Sequence, residues 1–140
     1  MADLFGKEDA LVTTSGCLSN CISAMIMAPN HGMSLIVGSN SHYLSRERGM
    51  ISSVAGAMPT TLQNMPDGTL DIEEIRRELG NKPDAHLAPI GGVALESSHN
   101  GCSGRVLKPQ YVDMVKKVTK KHKVHLYLDG ARAWNAAVFL

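Results

Sequence analysis

Short apolar segments alternate along this chain with segments of helical pattern, and this alternation limits the possible fold more than any other feature. The clearest apolar segment ends at an acid, residue 129. In this segment Val124, Leu126 and Leu128 alternate with His125 and Tyr127, which is the periodicity of a strand. Strands are predicted at 11–14, 35–37, 58–62, 90–95 and 124–128. Strands that are separated by helices favour an α/β fold with a mostly parallel, doubly wound sheet.

Turn and capping residues indicate where the helices begin. Asp71 followed by Glu74 is close to a capping box, and Pro109 suits the first turn of a helix. Helices are predicted over about 15–27, from about 42, over about 71–80, from 109 and from about 131. The 140 residues contain no repeat or linker, so the prediction is one domain over 1–140.

Composition excludes several classes of function. An apolar share of 44% and a charged share of 19% are those of a globular protein. The net charge of +1 favours neither a nucleic acid nor an acidic partner, and the lysines between 116 and 123 are predicted to form a solvated helix face. No apolar run approaches the length of a membrane span, and the first residues do not form a secretory signal.

The three cysteines are Cys17, Cys21 and Cys102, an odd set without the spacing of a disulfide framework. This favours a reducing compartment, and we expect a cytoplasmic protein. No Cys-x-x-Cys or His-x₃-His pair is present, so the sequence predicts buried thiols rather than a metal site.

Asp129 follows the last predicted strand directly, at the sheet edge where open α/β folds bind ligands. A carboxylate at the end of an apolar strand is costly unless a cation or hydrogen-bond donor meets it. A protonated pyridine nitrogen, as in pyridoxal phosphate, is one such partner. The alternative is that Asp129 caps the following helix.

Two more segments are candidates for the same edge. Ser15-Gly16-Cys17 joins a predicted strand to a helix, so its free backbone N–H groups could bind an anion such as a phosphate. His42 follows another strand and turn, where it is either structural or a proton carrier. Glu47 either braces His42 or pairs with Arg48 on the surface.

Four stretches, taken in order, resemble the threonine aldolases, which are pyridoxal phosphate lyases of the β-eliminating lyase superfamily. The stretches are 4–8 leading into 15–17, then His42 with Glu47 and Gly49, then 95–100, and finally 129–132. The resemblance implies the large domain of a fold-type I enzyme, an incomplete three-layer α/β/α sandwich here. It also implies truncation at both ends, without the N-terminal segment, the Schiff-base lysine or the small C-terminal domain.

The resemblance also implies roles for the residues that surround the cofactor. Gly16 and Cys17 would hold the phosphate, although relatives usually carry Thr where this chain has Cys17. The ring of His42 would stack on the pyridine face, and Asp129 would hold the pyridinium nitrogen.

Substrate contacts follow from the same resemblance. His86 would approach the β-hydroxyl of the substrate, or else be an exposed loop histidine. Arg132 would bind the phenolic oxygen of the cofactor or the substrate carboxylate, or else pair with Asp129. Glu96 is predicted to have a structural hydrogen-bonding role.

The function that the resemblance implies is cleavage of threonine or allo-threonine to glycine and acetaldehyde, within a homotetramer in the complete family. Its partners would be a small amino acid substrate, with no nucleic acid and no membrane. We expect the isolated chain to be inactive. The alternatives are a non-enzymatic product that associates with or modulates a full-length relative, and a fragment of a lyase for another β-substituted amino acid.

Overall fold

The computed structural model describes residues 1–82 and 84–140, and within them four parallel strands form one sheet. The strands are β1 (Ser34–Gly38), β2 (Met58–Leu62), β3 (Ile90–Glu96) and β4 (His125–Asp129). The helices are α1 (Ala2–Phe5), α2 (Gly16–Met27), α3 (His42–Ser45), α4 (Met50–Ser53), α5 (Ile72–Gly80), α6 (Pro109–His122) and α7 (Ala133–Phe139). The predicted α/β class with a parallel sheet is confirmed.

The strand order is β2-β1-β3-β4, so the chain goes outward from β1 to β2 and then returns to the other side of β1. The switch point of the sheet therefore lies between β1 and β3. In open α/β sheets, ligands bind outside the carboxyl ends of the strands at such a point.

Both faces of the sheet are covered, which makes three layers. Alternate residues of β1 bury opposite faces: Leu35 and Val37 pack in a cluster with residues of α2 and α4, and Ile36 packs in a cluster with residues of α5 and α6. Parallel strands that are buried on both sides read as continuous apolar runs, which is why the central strands were recognisable in the sequence.

The prediction of a strand at 11–14 is wrong, because this segment has no regular structure and pairs with no strand of the described chain. Val12 is 87% exposed, and an apolar β-branched residue does not form a strand without a neighbouring one. The capping box at Asp71 is also only half right. Asp71 accepts a hydrogen bond from the Glu73 amide at 2.8 Å, whereas Glu74 pairs with Arg77.

The lysine-rich segment forms the exposed face and last turn of α6, as predicted. Within the described residues, no helix combines the length and the apolar character that crossing a bilayer would require.

Candidate active site at the carboxyl edge of the sheet

Three strands deliver their following residues to one edge of the sheet. His42 comes shortly after β1, the loop 97–104 comes after β3, and Asp129 is the last residue of β4. A small open cavity of about 230 Å³ lies beside the switch point, and it is lined by Ser39, Asn40, His42, Ser45, Arg46, Asn100 and Gly101. The convergence expected for the predicted site residues is confirmed for the α2 turn, His42 and Asp129, as the contacts below show.

The turn before α2 presents unused backbone donors. Ser15 caps the helix by accepting a hydrogen bond from the Leu18 amide at 3.2 Å. The Gly16 and Cys17 amides lie in the first helical turn, so they have no partner within the helix, and none elsewhere in the described chain. A Cβ placed on Gly16 would meet nothing within 4 Å, so the space in front of this turn is open. The turn is therefore able to bind an anion.

His42 is held by a buried carboxylate. Its Nδ1 lies 2.7 Å from Oε1 of Glu47, whose side chain is 1% exposed, whereas the His42 side chain is 30% exposed. Because a carboxylate only accepts hydrogen bonds, Nδ1 is the donor in this pair, and Nε2 is the ring nitrogen left for other partners. Of the two alternatives for Glu47, bracing His42 is confirmed and the surface pair with Arg48 is wrong.

Asn20, on α2, joins two buried acids that are far apart in the sequence. Its Nδ2 donates to Glu47 Oε1 at 2.6 Å and to Asp129 Oδ2 at 3.0 Å. Its Oδ1 accepts a hydrogen bond from the Tyr127 hydroxyl at 2.8 Å. The amide therefore uses both hydrogens and its oxygen, and His42 and Asp129 belong to one network.

Asp129 is buried at the end of β4. Oδ1 accepts a hydrogen bond from the Ala131 amide at 3.0 Å, and Oδ2 has the Asn20 donor described above. α7 begins at Ala133, so the alternative in which Asp129 caps this helix is wrong. Burial, together with the negative charge of Asp129, raises the pKa of Tyr127, which keeps that hydroxyl protonated as a donor to Asn20.

Glu96 ties the loops after β1 and β3 together. Its Oε2 accepts from the His42 amide at 2.9 Å, and its Oε1 accepts from the Asn100 amide at 2.8 Å. Arg132 Nη1 lies 4.0 Å from Oε1, so the arginine faces Glu96 rather than Asp129 as one alternative predicted. The structural role predicted for Glu96 is confirmed: it fixes the backbone from which His42 extends.

His99 is a buried histidine of the same edge that the sequence analysis did not single out. Burial lowers the pKa of its imidazole, and the charges of Glu96 and Asp129 only partly oppose this. Its Nδ1 has no hydrogen-bond partner among the residues that the structure covers. Burial of the ring therefore disfavours its charged form.

The structure does not bring His86 to this network. His86 is exposed in the loop that precedes β3, where its backbone amide donates a hydrogen bond to Asp84 Oδ1 at 2.8 Å. That loop enters the amino end of β3, which is the opposite edge of the parallel sheet from Asp129. The proposed contact of His86 with a substrate stays a prediction.

Sequence reasoning missed Asn20 and Tyr127. The available signal was a carboxamide at position 20, on the same helix face as Cys17 and Ala24, in a helix whose other polar residues are only serines. Its partners at 47, 127 and 129 could not be identified without the fold, because no local pattern connects them.

Comparison with known proteins gives a consistent result. The family profile of the beta-eliminating lyases matches residues 1–140. Low-specificity L-threonine aldolase 1 of Arabidopsis thaliana is 37% identical over the whole chain, and low specificity L-threonine aldolase of Escherichia coli is 31% identical over 98% of it. The chain spans 39% and 40% of the lengths of these two relatives.

A solved structure of threonine aldolase from Leishmania major superposes with a TM-score of 0.81 at 25% identity. The superposition covers 94% of this chain and 38% of the other. The matches in sequence and in fold agree, and the chain belongs to the beta-eliminating lyase family.

Proposed function

We propose that the carboxyl edge of the sheet binds pyridoxal phosphate, and that the chain is part of a lyase of threonine aldolase type. The observation that carries the proposal is Asp129, a buried carboxylate joined through Asn20 to the Glu47–His42 pair. Buried acids need a cation or several donors, and a protonated ring nitrogen would complete the set of donors around Asp129.

The residues present fit the cofactor. The amides of Gly16 and Cys17 have no other acceptor in the described chain, and they suit a phosphate. Each oxygen of Asp129 accepts one hydrogen bond, and a carboxylate can accept about four, so capacity remains for a ring N–H. Half-exposed His42 offers an aromatic face at the same edge.

When bound, pyridoxal phosphate supplies an electron sink that lets a bond to the α-carbon of an amino acid break. Asp129 favours the protonated ring by pairing with it. His42 carries a proton on Nδ1 for Glu47, so its Nε2 can exchange a proton with a hydroxyl group. Arg132 provides a guanidinium that suits a planar carboxylate.

The substrates proposed for the complete protein are threonine and allo-threonine, cleaved to glycine and acetaldehyde. For these 140 residues alone we propose binding without turnover. No lysine forms a hydrogen bond or ion pair with the network in the described part of the chain, and covalent catalysis by this cofactor uses a lysine. The loss of a covalent catalytic group commonly costs several orders of magnitude in rate.

The test is a titration of the purified chain with pyridoxal phosphate, followed by absorbance and by quenching of the single tryptophan. Asp129→Asn keeps the size of the side chain and removes its charge. We therefore expect the affinity for pyridoxal phosphate to fall at least about 10-fold, which corresponds to about 1.4 kcal/mol of binding free energy. Asp113→Asn, on the exposed face of α6, is the matched control and should bind as the unsubstituted chain does.

Equal affinity of Asp129→Asn and the unsubstituted chain would reject the role of Asp129. A parallel assay for glycine release from threonine, with serine and other β-substituted amino acids alongside, tests the proposed lack of turnover. Release well above the rate of the free cofactor would contradict it.

Association with another polypeptide is the second candidate function, and the edge strand favours it. In the described chain β4 pairs with β3 on one side only, and Leu128 is exposed there. Trp134 and Val138 of α7 are exposed as well, and exposed strand edges with apolar neighbours tend to pair. We expect light scattering at about 50 μM to detect dimers or larger species, and a stable monomer would contradict this candidate. We also propose a cytoplasmic location, because the three cysteines are free and thiols stay reduced in that compartment.

A further inference from the structure

A thiol, an imidazole and a carboxylate meet at the start of α2. One ligand atom each of Cys17, His42 and Glu47 lies within 4.8 Å of the other two. Cys17 is exposed, so the predicted buried thiol is wrong at this position, whereas Cys21 and Cys102 are buried as predicted. His42 is partly buried and Glu47 is buried, so the cluster reaches from the interior to the solvent. These residues come from the first turn of α2, the first residue of α3 and the segment that follows α3.

We propose that Cys17, His42 and Glu47 form a binding site for a divalent metal ion of the zinc class, with the fourth coordination position open to solvent. The inference goes beyond the proposed function, because it needs neither the cofactor nor the substrate. It also departs from the sequence-based expectation of no metal site, which considered only the local spacing of cysteines and histidines along the chain.

The donor set suits Zn²⁺ by its chemistry. Zinc binds Cys sulfur, His nitrogen and carboxylate oxygen, and sites with three protein ligands keep a fourth position for water. The thiol of Cys17 releases its proton to solvent as the metal–sulfur bond forms. His42 coordinates through Nδ1 after its proton has moved through solvent to Nε2, which breaks the hydrogen bond to Glu47. Thiolate and carboxylate together offset the two charges of the ion, so the complex is neutral next to the buried Glu47.

The geometry requires only small movements. Metal–ligand distances of about 2.0–2.3 Å and tetrahedral angles correspond to a separation of about 3.6 Å between ligand atoms. The three atoms lie within 4.8 Å of one another, and the exposed Cys17 side chain is free to rotate inward. Asn20 already orients Glu47 by donating to Oε1 at 2.6 Å. Oε1 also accepts from His42 Nδ1 at 2.7 Å, so the metal replaces that hydrogen bond and the two atoms move apart by less than about 1 Å. Hydrogen bonds of this kind orient metal-binding carboxylates and histidines.

The metal and a phosphate group would exclude each other. Cys17 belongs to the turn whose amides suit a phosphate, and a ring nitrogen of His42 lies within 4.8 Å of the Cys17 sulfur. A metal held by both side chains would occupy the entrance to that space. The cysteine itself makes the difference, because a thiolate is a strong ligand for zinc and a neutral hydroxyl is a poor one.

The test uses the chain without cofactor, under a reductant that does not bind metals. Co²⁺ is added as a spectroscopic probe, and Zn²⁺ binding is then measured by competition. We expect one equivalent of Co²⁺ to produce a thiolate-to-metal charge-transfer band in the near ultraviolet. Cys17→Ser and Cys17→Thr should abolish the band and weaken Zn²⁺ binding by about 100-fold or more. Loss of a residue that only hydrogen-bonds to a metal ligand already costs about 10- to 100-fold in affinity, and Cys17 is a ligand itself.

His42→Gln and Glu47→Gln should each weaken Zn²⁺ binding by about 10- to 100-fold. Cys21→Ala is the matched control, because Cys21 lies one turn further along α2 but is buried, and it should retain both the band and the affinity. Circular dichroism checks that each variant is folded.

Absence of the charge-transfer band from the unsubstituted chain would overturn the proposal, and so would a band that persists in Cys17→Ser. Because no cofactor is present in these measurements, their failure would leave the proposed binding of pyridoxal phosphate untouched. Failure of the cofactor titration would likewise leave the metal site standing.

Discussion

Replacing Asn20 by Ala is the sharpest test of the buried network, because this one amide holds three partners. The change removes the donor to Glu47 Oε1 at 2.6 Å, the donor to Asp129 Oδ2 at 3.0 Å and the acceptor for the Tyr127 hydroxyl at 2.8 Å. All four groups lie in the interior or at its margin, so water cannot replace the amide freely.

The expected magnitude follows from these contacts. A hydrogen bond to a charged group contributes about 1.5–3 kcal/mol and a neutral one about 1 kcal/mol. Glu47 keeps its contact with His42, and Asp129 keeps the Ala131 amide, so the sum is an upper limit. We expect the free energy of unfolding to fall by about 3 kcal/mol, which for a chain of this size lowers Tm by roughly 10 °C.

The assay is urea unfolding at neutral pH, followed by circular dichroism. The matched control is Asn81→Ala, in which the same side chain is removed from an exposed site with one 3.4 Å hydrogen bond to Glu78. It should change the free energy of unfolding by less than about 0.5 kcal/mol.

Tyr127→Phe should cost about 1 kcal/mol. The double variant with Asn20→Ala should lose less than the sum of the two, because the residues share one bond. If Asn20→Ala matched the Asn81→Ala control, the network would not stabilise the fold and the reasoning would be refuted.

Two further predictions concern packing and alkaline pH. A Cβ on Gly91 would overlap the Met27 carbonyl oxygen, so Gly91→Ala should lower the free energy of unfolding in urea by about 3 kcal/mol. In the control Gly80→Ala the new Cβ meets nothing within 4 Å, so the free energy of unfolding should stay the same or rise slightly. Burial raises the pKa of Tyr111 to about 12. The folded chain therefore holds this proton where the unfolded chain loses it, and stability should fall as pH rises from about 10 to 12. A Tyr111→Phe variant whose alkaline stability loss is as large as that of the unsubstituted chain would contradict this.

Local patterns were sufficient to predict most elements of the fold. The central strands β1 and β3 are buried on both faces, so their apolar runs in the sequence are unambiguous. The edge strand β2 is only partly buried, and it also spans the predicted 58–62. The predicted start of α2 is equally close, because Ser15 is a strong cap. The segment 11–14 fails for the opposite reason: its pattern is that of a strand, but only a neighbouring strand could supply the missing hydrogen bonds.

The sequence by itself determined which residues lie at the carboxyl edge of the sheet, because a side chain that follows a parallel strand has to emerge there. His42 and Asp129 were located in this way. The tertiary structure alone decided how they are connected. Asn20 lies 109 residues from Asp129 in the chain, and Arg132 turns to Glu96 instead of its near neighbour. Contacts between distant segments depend on how helices pack over the sheet, and no local pattern of residues encodes a single such contact.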